Sequence, residues 1–133
     1  MKKGDFIFRQ SYHSLGSIIT SMLIPGHFTH CGMWDGEKVC HMTFFGYKEE
    51  SFEQFTAHSD IGICRYANVD VDKFYTFKDR KYDWLFNLAP NKLYCSEACA
   101  LCMPEHQTVK RKLIAGWKVY LPDDLYRHGR KIQ

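Results

Sequence analysis

No long hydrophobic run occurs in this 133-residue chain, so no stretch is predicted to span a membrane. The N-terminus, Met1-Lys2-Lys3-Gly4-Asp5, lacks the apolar segment and small-residue cleavage site of a secretory signal. Linkers, internal repeats and low-complexity tracts are also missing. Nor is there a block of one charge: the formal net charge is +3, and basic residues are scattered apart from Lys110-Arg111-Lys112. That cluster reads as solvated surface, which argues against a nucleic-acid binder. With 25% charged and 16% aromatic residues, the composition is that of an ordered globular protein, and the length fits one domain over 1–133. Six cysteines without a signal predict a reducing compartment, hence the cytoplasm. A phage or viral origin, or export by another route, stays open.

The β-prone Asp5-Phe6-Ile7-Phe8-Arg9-Gln10 follows a turn-like Gly4-Asp5 and predicts a first strand. Leu15, Ile18, Ile19, Met22 and Leu23 recur at helical spacing, with Ser14 as N-cap and Pro25-Gly26 as the stop. Packing against a sheet accounts for this amphipathic helix. Its functional alternative is one wall of a substrate groove, with Ile18, Ile19 and Met22 as contacts and Tyr94 as a further candidate. Two β-prone runs between Phe28 and Phe44 flank Asp35-Gly36, a dipeptide that favours a two-residue type I′ turn. That turn pairs Trp34 with Glu37, Cys31 with Cys40 and His30 with His41. The two histidines then lie on one side of the sheet with side-chain carbons about 5 Å apart. Cys31 and Cys40 face each other on the other side as two core thiols; a disulfide there suits the geometry but not a reducing compartment.

Further along, Glu49 to His58 reads as a short helix with Phe52 and Phe55 inward, and Ile61 to Tyr66 as a strand. Asp70 to Arg80 reads as helical or extended, and Lys81 to Pro90 as an aromatic-rich approach to a central helix. Gly116 to Leu121 reads as a last strand, and Pro122-Asp123-Asp124 opens a terminal helix. The sum is an α+β fold, an antiparallel sheet packed against helices.

Between Lys92 and Met103 a cysteine precedes a run of good helix formers that Pro104 stops, so Cys95 falls in a first helical turn. There the helix dipole and free N–H groups favour a thiolate and can hold an oxyanion. A cysteine is also read as a small buried hydrophobe. A nucleophilic cysteine needs a histidine base and a polar group to orient it, and His30 and His41 are the candidates. Seven histidines make chance matches common, so spacing alone does not decide. Cys95, Cys99 and Cys102 share one helical face and, with His30 or His41, would supply a zinc ligand set. They lack a glycine knuckle and a second matching pair, so inward packing of Cys99 and Cys102 is the better account, and neither metal nor cofactor is expected.

The order Gly4-Asp5-Phe6-Ile7-Phe8, Phe28-Thr29-His30-Cys31-Gly32-Met33-Trp34, Asp35-Gly36, Tyr82-Asp83, Leu93-Tyr94-Cys95-Ser96-Glu97 and Leu121-Pro122-Asp123-Asp124-Leu125 resembles the YiiX/YebB-like group. These are circularly permuted, papain-fold cysteine hydrolases of the NlpC superfamily, with histidine preceding cysteine. The resemblance implies a permuted papain-like fold, Cys95 as nucleophile, His30 as its base and a polar residue on the next strand to orient it. Many relatives have an acid in that third place. His41 there is similar to the lecithin:retinol acyltransferase branch, whereas Tyr94-Cys95-Ser96-Glu97 is similar to the YiiX group. Tyr82 and Asp83 are expected to support the fold, and Glu97 to partner the helix dipole. The implied activity is a thiol hydrolase of the peptidase or amidase class, cell-wall peptides among its substrates, working through a thioester with a Cys-His-His triad. A lipid hydrolase or acyltransferase of the same fold is the first alternative, and a non-catalytic peptide- or lipid-binding module the second. A neutral histidine supports His30 less than a carboxylate does, which predicts a flatter or higher-pH profile.

Overall fold

In β1 (Phe6–Ser11), the consecutive residues Phe6, Ile7 and Phe8 are all buried. A strand with no alternation is one covered on both faces. β1 accordingly lies inside a six-stranded sheet, in a computed structural model that describes residues 1–11, 26–82, 92–104, 109–114 and 117–133. Its neighbours are β2 (His30–Trp34) and β5 (Ser59–Arg65); β3 (Val39–Thr43) and β4 (Gly46–Glu50) extend the sheet beyond β2, and β10 (Arg130–Lys131) beyond β5. Every pairing in this sheet is antiparallel. Two small pairs lie outside it: β6 (Lys81–Tyr82) with β7 (Lys92–Leu93), and β8 (Lys112–Ile114) with β9 (Trp117–Val119).

Four described helices cover the sheet: α1 (Phe52–Thr56), α2 (Val71–Tyr75), α3 (Cys95–Leu101) and α4 (Pro122–His128). One face carries Phe6, Phe8, Cys31, Met33, Cys40 and Met42, packed with residues of α2, α3 and α4 in the main core. Ile7, Val39 and Ile63 emerge on the other face and form a smaller core with Phe55 of α1. The fold is therefore α+β, an antiparallel sheet packed against a few helices. Among the described residues no helix is long and apolar enough to cross a membrane.

The hairpin differs in register from the sequence expectation. Met33 pairs with Cys40 and Trp34 with Val39, a shift of two residues, and Asp35 N–H donates to Lys38 O at 3.0 Å. The loop is therefore Gly36-Glu37, with Gly36 at φ +111°. Asp35 ends a strand because its carboxylate is anchored. It accepts from the N–H groups of Glu37 and Lys38 at 2.8 and 2.7 Å and from the Tyr75 hydroxyl at 2.8 Å. A two-residue slip keeps each side chain on its face, so His30 and His41 still share one side, and Cys31 and Cys40 the other, but neither pair is directly opposed. Gly32 permits the close approach of β2 and β3: a Cβ there would lie 2.8 Å from Val39 Cγ1 and 3.0 Å from His41 Cβ.

Other segments also differ. Glu49 and Glu50 belong to β4, and the helix starts only at Phe52, because Ser51 and Gln54 form a capping box with both bonds at 3.1 Å. The helix after Asp70 is confined to Val71–Tyr75. Of the expected last strand, Trp117–Val119 forms, while β8 and β10 were not anticipated. The amphipathic helix around Leu15 to Leu23, Asp83 and most of the aromatic approach lie outside the described residues.

Candidate functional site

Cys95 is the first residue of α3, whose turn closes with Ala98 N–H donating to Tyr94 O at 3.0 Å. The residues on either side of it hold the same backbone unit. Tyr94 Oη accepts the N–H of Tyr120 at 2.8 Å, and Ser96 Oγ donates to the carbonyl of Tyr120 at 2.7 Å. Both polar groups of one residue just past β9 are thus used to seat the start of α3. The helix is buried from Cys95 to Ala100, and Cys95 itself is 4% exposed. At the other end of the chain's topology, Asp123 in the first turn of α4 accepts from the N–H groups of His27 and Phe28 at 2.9 and 2.6 Å. That carboxylate fixes the approach to β2, and with it the position of His30.

His30 Nε2 lies 2.8 Å from His41 Nδ1. On its far side, His41 Nε2 lies 3.1 Å from Glu50 Oε2, although the N–H does not point squarely at that oxygen. Lys48 pairs with the other carboxylate oxygen of Glu50. Arg9, in register with His30 on β1, donates to Phe55 O at 2.7 Å and places its guanidinium 4.4 Å from the Phe55 ring centroid. Phe55 also packs on both imidazoles, with ring centroids 5.8 Å from His30 and 5.0 Å from His41. Adjacent strands β1, β2, β3 and β4 therefore contribute Arg9, His30, His41 and Glu50 to one row, roofed by one aromatic ring.

The Cys95 thiol is held well below the ordinary cysteine range. The first cause is a hydrogen bond from the Cys31 thiol; burial opposes it, while the charge and hydrogen bond of His30 and the N–H of Cys31 add to it. Cys31 itself is pushed well up, foremost by burial and also by Cys95 and Cys99, whose sulfur is 3.7 Å away. Cys31 therefore remains a thiol and acts as a donor. Its N–H is available because the paired register of β2 with β3 runs from Met33 to Trp34 and not to Cys31.

His41, 1% exposed, is lowered to about 4, first by burial and further by the charges of His30 and Arg9, against the pull of Glu50. A folded state that refuses a proton the unfolded state accepts loses stability as pH falls. The contribution is complete above about 6.5 and declines towards 4, a span worth roughly 3 kcal/mol. Urea midpoints taken from pH 7.5 to 4.5 should fall in the wild type. They should fall less in His41→Asn over the same window.

The structure thus brings together Cys95, His30 and His41. Tyr94 is 1% exposed, and its hydroxyl accepts the N–H of Tyr120. Ile18, Ile19 and Met22 lie outside the described residues. Sequence reasoning did not find Glu50, Arg9 or Cys31 as members of the site. The Ser51-x-x-Gln54 capping signal was the usable clue for Glu50, since it removes that residue from the helix and leaves it to a strand.

No protein-family model matches this chain, and no curated protein matches it. Among solved structures, the fold is similar to that of the metalloprotein yiiX from Escherichia coli O157:H7. The TM-score is 0.63 with 21% identity, covering 84% of this chain and 72% of that one. Among the described residues here, no group of three or more His, Cys, Asp or Glu side chains is arranged to hold a metal ion. What the two proteins share at this identity is a fold: the α+β, YiiX-like arrangement of an antiparallel sheet against a few helices.

Proposed function

We propose that this chain is a permuted papain-like cysteine hydrolase of the NlpC superfamily that cleaves an amide or ester bond. The observation that supports the reading is the 2.8 Å contact of His30 with His41, together with a Cys95 thiol that His30 helps to hold below its ordinary range. With Nε2 of His30 turned to His41, Nδ1 is the nitrogen left for the sulfur. His30 takes the Cys95 proton, and the thiolate attacks the substrate carbonyl. The Cys95 N–H is the oxyanion donor in this reading. Collapse expels the amine or alcohol, which takes the proton from His30 and leaves a thioester on Cys95. Water, deprotonated by His30, then releases the acid. His41 positions His30 and does not touch the substrate.

The substrate class in this reading is a peptide or other amide, cell-wall peptides included. A lipid hydrolase or acyltransferase is the second reading. It is favoured by a histidine, and not an acid, in the orienting place, and it differs in passing the acyl group to an acceptor other than water. The test is intact-protein mass spectrometry after exposure to a panel of activated amides and esters. One acyl group should appear on Cys95 and on no other cysteine, and Cys95→Ala should take none. Absence of any acyl adduct, together with alkylation of Cys95 no faster than that of Cys99 or Cys102, would leave a binding module.

A further inference from the structure

We propose that Glu50 is a positioning residue for the nucleophile: from β4 it fixes the direction of the hydrogen bonds through His41 to His30 and so presents a basic nitrogen to Cys95. The inference rests on the reading of Cys95 and His30 as the reacting pair. Nothing in the sequence marks Glu50 for this role, since Glu49 to His58 reads as a short helix.

Direction along this row is set by which atoms can donate. An ionised carboxylate only accepts, and Glu50 is held down to about 2, first by the neighbouring His41 and then, against burial, by Lys48. The His41 nitrogen 3.1 Å from it must therefore carry the hydrogen. A buried, neutral His41 has one hydrogen, so Nδ1 is a lone pair and accepts at 2.8 Å from Nε2 of His30. His30 is thereby set as the Nε2–H tautomer, with an unprotonated Nδ1 for the Cys95 proton. The opposite tautomer of His41 would turn an imidazole lone pair on a carboxylate and a donor on His30. It would leave His30 with its hydrogen on the wrong nitrogen.

Charge reinforces direction. When His30 gains a proton, the cations facing the chain are Arg9 from β1 and Lys48 from β4, and the thiolate of Cys95 from α3 is the anion on its other side. Phe55 of α1 contributes no charge. Glu50, whose side chain is 15% exposed, is the anion on the His41 side. Without it, Arg9 and Lys48 act unopposed on both imidazoles and His30 holds its proton less firmly. The thiolate–imidazolium pair then gives way to the neutral pair.

The experiment is the pH dependence of Cys95 alkylation by iodoacetamide in the wild type, Glu50→Ala, Glu50→Gln, Lys48→Ala and His30→Ala, each checked for folding by circular dichroism. Glu50→Ala should react about tenfold more slowly at pH 7, because a less firmly held imidazolium leaves a smaller share of Cys95 as thiolate. Its half-maximal rate should move to higher pH. Glu50→Gln keeps an acceptor without the charge and should fall between Glu50→Ala and the wild type. Lys48→Ala removes a cation that opposes charge on His30 while leaving the Glu50 carboxylate in place, and should react no more slowly than the wild type does. Spectra of isotope-labelled histidine should show His41 as the Nε2–H tautomer in the wild type. Rates and profiles unchanged in both Glu50 variants would overturn the inference while leaving the His30 pair intact; if Glu50→Ala does not fold, Glu50→Gln and the tautomer spectra decide. A wild-type Cys95 that is unreactive, or indifferent to His30→Ala, would overturn the underlying reading as well.

Discussion

Replacing His30 by alanine should slow the alkylation of Cys95 at pH 7 by about a hundredfold, the lower range of what a positioned acid–base partner contributes. The size of the effect follows from the balance at the sulfur. Burial at 4% exposure works against a thiolate, and it is overcome by the Cys31 thiol, by His30 and by the Cys31 N–H. Without the imidazole, the largest cationic contribution is gone and burial gains weight. Reactivity should return as the pH is raised, because the thiolate is still the reacting form. Cys99 and Cys102, both buried in the same helix region, serve as internal controls in each digest. An unchanged rate for Cys95 in this variant would dismantle the pair and with it the hydrolase reading.

Phe55→Ala should cost about 3–5 kcal/mol of stability, the range for emptying a buried aromatic site, read as a lower urea midpoint at unchanged slope. The ring is fully buried in the smaller core with Ile7, Val39 and Ile63. It also supports the chemistry, since Arg9, His30 and His41 all pack on it. Phe55→Leu should retain most of the stability, because an aliphatic side chain refills much of the volume. It removes the flat surface against which two imidazoles and a guanidinium are set, so its Cys95 alkylation should fall below that of the wild type. Equal reactivity in Phe55→Leu would show that the ring only fills space.

These two residues illustrate what could be read in advance. Phe55 was expected to point inward from its helix spacing, yet nothing local placed it over the histidines. That required the strand β4 to separate α1 from β3 and return the helix across the sheet face. Glu50 was hidden for the same reason. A run of Lys and Glu between an aromatic pair and Ser51 fits a solvated helix start as well as an edge strand, and pairing with β3 chose between them. Arg9 read as an ordinary polar residue of a first strand, since its alignment with His30 comes from the register of β1 with β2.

The sequence by itself determined the strand at Phe6, the helix begun by Cys95, the proline-led helix at Pro122 and the faces on which the hairpin's histidines and cysteines lie. Each depends on neighbouring residues or on a period of two, and at these places the tertiary context agrees with the local signal. Only the tertiary structure decided the partners. A period of two is blind to a two-residue slip; in the fold Asp35 closes the hairpin with Lys38, and its carboxylate meets the Tyr75 hydroxyl of α2. With that register set, a missing Cβ at Gly32 let β2 and β3 close together, and a row of groups from four strands met beside Cys95.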